Sequence, residues 1–164
     1  MPNPLQPGVK ASDFEATTHN GKRIKLSDFR GKIVVLYFYP RAMTPGCTRE
    51  GRRFNELAEE FKRLNSVIIG VSTDPPERNK RFAEKENLHN IILVSDVDGK
   101  ISEAYGVARQ GKKRISSERV TFIIDQSGII RRVLADIRPA ERHADKALEA
   151  VKEISLESSR LPPS

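Results

Sequence analysis

The sequence contains a single cysteine, Cys47, among its 164 residues. One thiol excludes a disulfide within the chain, so cysteine cannot crosslink this fold. It also argues against a thioredoxin-like electron carrier, which needs a C-x-x-C motif, because Thr48, Arg49 and Glu50 follow Cys47. Three roles remain open for Cys47: an inert buried residue, a reactive thiol, or one half of a bridge between chains.

Long apolar segments are also missing. The uninterrupted apolar runs are short, as in IVVLYF and VIIGV, whereas a helix that crosses a bilayer takes ~20 residues. The first residues, MPNPLQPGVKASDF, lack the apolar segment of a signal peptide. Because a free thiol also suits the reducing cytosol, we expect a cytoplasmic chain that does not enter a membrane.

Histidines are few, and His19, His89 and His143 do not form a hydrolase-like or metal-binding motif. A cysteine hydrolase needs a base beside its nucleophile, and a zinc site needs ligands at a defined spacing. We therefore expect neither a cysteine hydrolase nor a metal site, and no cofactor.

Charged residues, by contrast, are abundant. Against 22 Asp and Glu residues stand 29 Lys and Arg residues, which gives a formal net charge of +7. Such an excess can serve binding to nucleic acid or to an anionic surface. However, the basic clusters are not interleaved with aromatic residues, and no nucleic-acid motif accompanies them. A solvated surface is the preferred interpretation, and we expect no nucleic acid partner.

The pattern of apolar residues predicts a chain in which strands alternate with helices. Strands are predicted at 13–17, 23–24, 33–38, 67–71, 91–94, 120–124 and 129–134, and helices at 48–65, within 72–87, at 101–107 and at 141–156. Residues 108–118 are predicted to form a polar, basic loop. We expect one α/β domain over 1–164, with a core of about 8–156, a frayed tail at 157–164, and a central mixed β-sheet flanked by helices.

The position of Cys47 is informative. It follows Pro45 and Gly46, between the predicted strand at 33–38 and the predicted helix at 48–65. Sites in α/β proteins gather at the carboxyl ends of strands, and helix N-termini carry a partial positive charge that favours a thiolate over a thiol. The neighbours of Cys47 are turn-forming and polar residues. This setting makes a reactive thiol as well supported as an inert one, and both interpretations stay open at this point.

The stretch YFYPRAMTPGCT contains Pro40-x-x-x-Thr44-x-x-Cys47 and resembles the peroxiredoxins, most closely their bacterioferritin-comigratory or peroxiredoxin Q subfamily. The segments VIIGVSTDPPERNKRFAEKENL, ILVSDVDGKISEAYGV and ERVTFIIDQSGII resemble the same subfamily in the same order, so the likeness covers about residues 8–155. The resemblance implies a thioredoxin-like (peroxiredoxin) fold with an N-terminal β-hairpin extension. It also implies a thiol-dependent peroxidase that reduces hydrogen peroxide and organic hydroperoxides.

The resemblance further implies roles for five residues. Cys47 matches the peroxidatic cysteine, whose thiolate attacks a hydroperoxide and becomes a sulfenic acid. Thr44 matches the threonine whose hydroxyl bonds both thiolate and peroxide, and Pro40 matches the proline that shields the sulfur from water. Arg119 matches the arginine that stabilises the thiolate and the departing oxygen, and Glu50 a glutamate that orients this arginine. Apart from Cys47, each has a structural alternative as a turn cap, a strand end or a charge on a helix or surface.

The chain departs from the subfamily at Arg52, where many members carry a second, resolving cysteine. The thiol that reduces the sulfenic acid must therefore come from outside: Cys47 of a second subunit, a small thiol, or a thioredoxin-like reductant protein. This predicts a one-cysteine cycle in a monomer or weak homodimer. The alternative is a redox-sensing or binding module on the same fold, without catalytic turnover. The preferred hydroperoxide stays open, although the basic segment 108–118 suggests an anionic one.

Overall fold

Nine strands and five α-helices make up residues 3–160, the part of the chain that this computed structural model describes. The strands are β1 (Glu15–Thr17), β2 (Arg23–Lys25), β3 (Ile33–Phe38), β4 (Ser66–Ser72), β5 (Ile92–Ser95), β6 (Ala108–Gln110), β7 (Ile115–Ser117), β8 (Val120–Ile124) and β9 (Ile130–Leu134). The helices are α1 (Pro45–Glu56), α2 (Ala58–Arg63), α3 (Pro76–Lys85), α4 (Lys100–Ala104) and α5 (Arg142–Arg160), with a 3-10 helix at Leu26–Phe29.

The central sheet has five strands in the order β5-β4-β3-β8-β9. β3 is parallel to β4, and β4 to β5, whereas β8 is antiparallel to both β3 and β9. Every residue of β3 is buried, as expected for a continuous apolar run at the middle of a sheet covered on both faces. The predicted mixed sheet and the N-terminal hairpin of β1 and β2 are both confirmed.

The two faces of the sheet are covered differently. Alternate residues of β3, such as Val35 and Tyr37, pack in one apolar cluster with α1, α2, α3 and α5. The residues between them, such as Leu36 and Phe38, pack in a second cluster with the N-terminal segment and the region of α4. The sheet is therefore flanked by helices as predicted, but the larger helices share one face.

The helix predicted to start at residue 48 begins earlier, at Pro45, and Thr44 is its N-cap residue. Proline suits the first helical position because its φ is already fixed near the helical value and its missing N–H would have no intrahelical partner there. Cys47 therefore lies within the first turn of α1, not before it.

The same predicted helix is interrupted at Leu57, where α1 ends and α2 follows. The N–H of Leu57 is directed at the carbonyl groups of both Arg53 and Asn55, so the regular hydrogen-bond ladder tightens there. Gly51 lies inside α1 and is buried. A Cβ at that position would come within 3.4 Å of the Leu88 side chain, so Gly51 allows close packing in the core.

The basic loop predicted at 108–118 is a small hairpin instead, because β6 and β7 pair with each other antiparallel. The hydroxyl of Thr73, just beyond β4, donates to the carbonyl of Ile115 at 2.9 Å and holds the hairpin near the carboxyl end of the sheet. Each strand has only three residues, which is too short for its alternation to be recognised in the sequence.

The last helix, α5, continues beyond its predicted end at Leu156 to Arg160. The predicted frayed tail is thus helical at 157–160, and its remainder, 161–164, lies outside the described residues. Over residues 3–160, no helix combines the length and the apolar composition that crossing a membrane requires.

Candidate active site

Cys47 lies just beyond the carboxyl end of β3, at the mouth of α1, as the sequence pattern predicted. The first backbone hydrogen bond of the helix runs from Thr48 N–H to the Thr44 carbonyl at 2.8 Å. The N–H groups of Gly46 and Cys47 therefore belong to the helix start, where donors lack intrahelical partners. The Cys47 sulfur sits in the positive end of the helix dipole, which stabilises negative charge.

The sulfur is also shielded from solvent, since Cys47 is only 2% exposed. Its side chain belongs to the same apolar cluster as Tyr37, Tyr39 and Phe54. The rings of Tyr37 and Phe54 are stacked with their centroids 4.3 Å apart. In such a setting, electrostatic interactions with the sulfur are stronger than they would be in water.

Arg119 is brought to Cys47 by the pairing of β8 with β3. The two strands are antiparallel with Phe38 opposite Val120, so the residue before β8 lies at the level where β3 ends. The Nη2 group of Arg119 donates a hydrogen bond to Cys47 Sγ at 3.4 Å. A cation that is far from Cys47 in sequence is thus a direct partner of the sulfur.

Glu50 holds the other arm of the same guanidinium group. Arg119 Nη1 donates to Glu50 Oε1 at 2.5 Å, and the Glu50 side chain is fully buried. Burial raises the pKa of the Glu50 carboxyl to about 8, and the positive charge of Arg119 offsets only part of this effect. Glu50, Arg119 and Cys47 form a row in which the carboxyl group fixes the guanidinium plane against the sulfur.

The raised pKa of Glu50 predicts a pH-dependent stability. The folded protein binds this proton more tightly than the unfolded chain, whose reference pKa is 4.5. The corresponding stabilisation is complete below about pH 4.5 and is lost as the pH rises through about 8. Between these limits, we expect the free energy of unfolding of the wild type to fall relative to Glu50→Gln by as much as a few kcal/mol.

Urea unfolding of the wild type and of Glu50→Gln, measured from pH 5 to 9, tests this expectation. Glu59→Gln is the matched control, because Glu59 is an exposed carboxylate on the neighbouring helix. Its difference from the wild type should stay constant over this range. A difference for Glu50→Gln that is equally constant would show that Glu50 does not titrate there.

Thr44 and Pro40 lie in the loop between β3 and α1. The hydroxyl of Thr44 donates to the carbonyl of Arg41 at 2.7 Å, which leaves the hydroxyl oxygen free to accept. Pro40 follows β3 after one further residue and is half-buried. Hydrogen bonds therefore connect Cys47, Arg119 and Glu50. The Thr44 hydroxyl instead forms its hydrogen bond within the loop between β3 and α1.

Sequence reasoning missed the side chains that fix this loop. The Ala42 N–H donates to Asp74 Oδ2 at 2.7 Å, and Arg78 Nη2 donates to the Ala42 carbonyl at 2.9 Å. Asp74 and Arg78 also form an ion pair at 3.1 Å, and the Asp74 side chain is fully buried. Asp74 follows β4, the parallel neighbour of β3, so the rule that sites gather at strand carboxyl ends could have identified it.

His143, on α5, was considered only as a possible hydrolase base or metal ligand, yet it lies beside the site. Its Nδ1 is 3.0 Å from the Thr121 hydroxyl, and its side chain is buried. Burial, together with the nearby charge of Arg119, lowers the pKa of His143 to about 4, so the imidazole is neutral at neutral pH. A histidine on the same helix face as the buried Ala147, one turn further on, was the available indication.

Comparison with known proteins gives a consistent set of relatives. Residues 7–133 match the sequence pattern of the AhpC/TSA family. Peroxiredoxin Bcp of Bacillus subtilis is 41% identical over 155 residues, which cover 92% of this chain and 98% of the relative. Peroxiredoxin Bcp of Escherichia coli is 39% identical over 155 residues, with the same coverage of 92% and 98%.

Solved structures of similar proteins share the fold. The crystal structure of the peroxidoxin BcpB from Mycobacterium tuberculosis has a TM-score of 0.86 and 36% sequence identity, covering 92% of this chain and 98% of that one. A structure of the bacterioferritin comigratory protein of Xanthomonas campestris, concerned with its alkyl peroxide reduction activity, has a TM-score of 0.81 and 28% identity. It covers 94% of this chain and 99% of its own.

Proposed function

The chain belongs to the AhpC/TSA family and is a thiol-dependent peroxidase of the peroxiredoxin type, and we propose that Cys47 is its peroxidatic residue. The observation that carries this proposal is the hydrogen bond of 3.4 Å from Arg119 Nη2 to Cys47 Sγ. Because the sequence holds no other cysteine, no second thiol of the chain can take this role.

In the first half of the reaction, the thiolate of Cys47 attacks the terminal oxygen of a hydroperoxide. The S–O bond forms as the O–O bond breaks, the sulfur is oxidised to a sulfenic acid, and the peroxide is reduced to an alcohol or water after taking up a proton. Negative charge moves from the sulfur to the departing oxygen. A group that stabilises both atoms therefore favours the transition state over the ground state.

We propose that Arg119 is that group and that Glu50 is a positioning residue. A guanidinium group is always charged and has several donors in one plane, so it can serve the sulfur, the Glu50 carboxyl group and the departing oxygen together. Glu50 acts through Arg119, to which it is bonded at 2.5 Å. Pro40 is proposed to limit the access of water to the sulfur.

The second half of the cycle needs a thiol from outside the chain. Arg52 occupies the position at which many relatives of this subfamily carry a resolving cysteine, and it is an exposed residue of α1. We propose a one-cysteine cycle in which an external thiol displaces the sulfenic oxygen as water and a second thiol releases reduced Cys47. The Xanthomonas campestris relative is described as having alkyl peroxide reduction activity, and we propose alkyl hydroperoxides as substrates of this chain beside hydrogen peroxide.

Peroxide consumption by a catalytic amount of protein, with dithiothreitol as reductant, tests this cycle. Many turnovers per Cys47 are expected with hydrogen peroxide and with an alkyl hydroperoxide. In the absence of thiol, one equivalent of peroxide should add one oxygen atom to the intact mass. Oxidation without turnover would instead support a redox-sensing module.

Thr44→Val tests the proposed role of the Thr44 hydroxyl, because valine keeps the shape of threonine but cannot form the hydrogen bond. If the hydroxyl contacts sulfur and peroxide during the reaction, the rate constant for Cys47 oxidation should fall by about tenfold to a hundredfold. Thr44→Ser should restore most of it. Should Thr44 only close the turn with Arg41, both variants would oxidise at the wild-type rate and differ only in stability.

We also propose that residues 1–164 act as one domain, in the cytoplasm, as a monomer or weak homodimer. A lone cysteine and the two apolar clusters on the faces of a single sheet support this view. Sedimentation of the reduced protein over a range of concentrations tests the oligomeric state.

A further inference from the structure

A polar cleft of about 440 Å³ adjoins the active site and has no role in the mechanism above. Its walls come from the start of α1, the residues before β8, and the segment that joins β9 to α5. Arg119 forms part of the wall, so the cleft shares a residue with the catalytic centre. Its volume lies within the range of small-molecule binding sites.

One end of the cleft approaches the reactive sulfur. Gly46 lines it and directly precedes Cys47. A Cβ at position 46 would lie only 3.1 Å from Arg119 Nη2, the same nitrogen that donates to Cys47 Sγ. Because glycine has no side chain, this end stays open beside the guanidinium group of Arg119, the hydrogen-bond partner of the buried Cys47 sulfur.

The charges of the cleft are mixed. Arg49 pairs with Glu141 at 3.2 Å, and Glu118 is 3.9 Å from Arg109. Two exposed residues of opposite charge also line the cleft, and neither forms an ion pair within residues 3–160. They are Arg138 and Asp136.

A neutral donor or acceptor completes the lining. His143 is 1% exposed and contributes to the wall of the cleft. Its Nδ1 is engaged with the Thr121 hydroxyl at 3.0 Å, so Nε2 is the ring nitrogen that remains for a ligand. Among residues 3–160, the cleft thus offers one unpaired cation, one unpaired anion and one buried imidazole.

We propose that this cleft binds the reducing thiol and that this thiol is a small molecule of amino-acid type. Its carboxylate pairs with Arg138, its ammonium group pairs with Asp136, and its sulfur is directed along Gly46 towards Cys47. A ligand with both charges satisfies both side chains, whereas a ligand with one charge meets a like charge as well. The proposal rests on the one-cysteine cycle and names the partner of its second half.

The chemical step balances without a further reactant. The sulfur of the thiol attacks Sγ of the Cys47 sulfenic acid, an S–S bond forms, the S–O bond breaks, and hydroxide leaves as water with the proton of the thiol. A second molecule of the thiol then attacks the mixed disulfide. The products are reduced Cys47 and the disulfide of the small thiol.

Four small thiols that differ in charge provide the test: cysteine, mercaptopropionate, cysteamine and mercaptoethanol. Each is mixed with the Cys47 sulfenic acid of the wild type, of Arg138→Gln and of Asp136→Asn, and the rate of mixed-disulfide formation is measured. Asparagine is chosen because Asp136 has a φ of 55°, which asparagine tolerates. Arg63→Gln and Glu59→Gln are the controls for Arg138→Gln and Asp136→Asn, since both residues are exposed on α2 and each control changes the net charge as its variant does. Rates are compared for each thiol between variant and wild type, so its intrinsic reactivity cancels.

With cysteine, Arg138→Gln and Asp136→Asn should each slow the reaction by about fivefold. With mercaptopropionate only Arg138→Gln should slow it, with cysteamine only Asp136→Asn, and with mercaptoethanol neither. Equal effects on all four thiols, or no effect on cysteine, would overturn the proposal. A failure of the proposed cycle itself gives a different result, because the wild type would then form no sulfenic acid with peroxide, or would form one that none of the four thiols reduces.

Discussion

Cys47→Ser is expected to abolish peroxidase activity, with the rate of peroxide consumption lowered by at least about a thousandfold. The serine hydroxyl stays protonated at neutral pH. It also cannot be oxidised by a peroxide, whereas a cysteine thiolate can. Nothing else in the chain can substitute, since the sequence has no second cysteine. The residual rate should equal the reaction of dithiothreitol with peroxide alone.

The fold of this variant provides the control for that result. Serine is close to cysteine in size and its oxygen can accept from Arg119 Nη2, so circular dichroism and thermal unfolding should remain near those of the wild type. Intact mass after one equivalent of peroxide should show no added oxygen. Turnover above the background of the free thiol would contradict the assignment of Cys47.

The sequence was sufficient to predict the sheet and the place of Cys47 for a simple physical reason. β3 and β4 are short apolar runs, and such runs have few alternatives to a buried strand. The residues after β3 then include Pro45 and Gly46, which mark a turn before the polar start of a helix. Position relative to these elements was enough to place a reactive thiol level with an inert one, and the resemblance to the peroxiredoxins decided between them.

The contact between Arg119 and Cys47 could not be predicted from local sequence patterns. A charged residue before a strand is ordinarily solvated, and nothing local links Arg119 to Cys47. Their contact depends on the antiparallel pairing of β8 with β3, with Val120 opposite Phe38. Only the resemblance to a known family indicated in advance that Arg119 acts on the thiolate, because register between distant strands is a tertiary property.

Other features escaped for related reasons. Asp74 and Arg78 act on the loop before α1 through two hydrogen bonds to the backbone of Ala42. The position of Asp74 after β4 indicates a place near the site, but it does not indicate a backbone partner. His143 can be recognised as a neighbour of the site only from the packing of α5 beside β8. That packing places its Nδ1 within hydrogen-bond distance of the Thr121 hydroxyl. The residues that support the site are thus harder to infer than Cys47 itself.

Arg119→Gln is expected to lower the rate constant for oxidation of Cys47 by about a hundredfold to a thousandfold. Glutamine can donate one hydrogen bond towards the sulfur but supplies no positive charge, so both the thiolate and the departing oxygen lose their stabilisation. Arg119→Lys should recover only part of this loss, because an ammonium group cannot serve Sγ and Glu50 in one plane. Stopped-flow measurement of a single turnover with hydrogen peroxide isolates this step from reduction by thiol.

Loss of the Arg119 cation also changes the pKa of Glu50. This change allows an effect of Arg119 on the reaction to be distinguished from an effect on folding. The positive charge of Arg119 lowers the pKa of Glu50, so Arg119→Gln should raise it further and keep the buried carboxyl group neutral. Pairing Arg119→Gln with Glu50→Gln removes both ionisable groups and should leave stability nearly independent of this site. If the double variant regained stability but not the oxidation rate, Arg119 would act on the reaction itself. Recovery of both would mean that Arg119 only maintains the fold around Cys47.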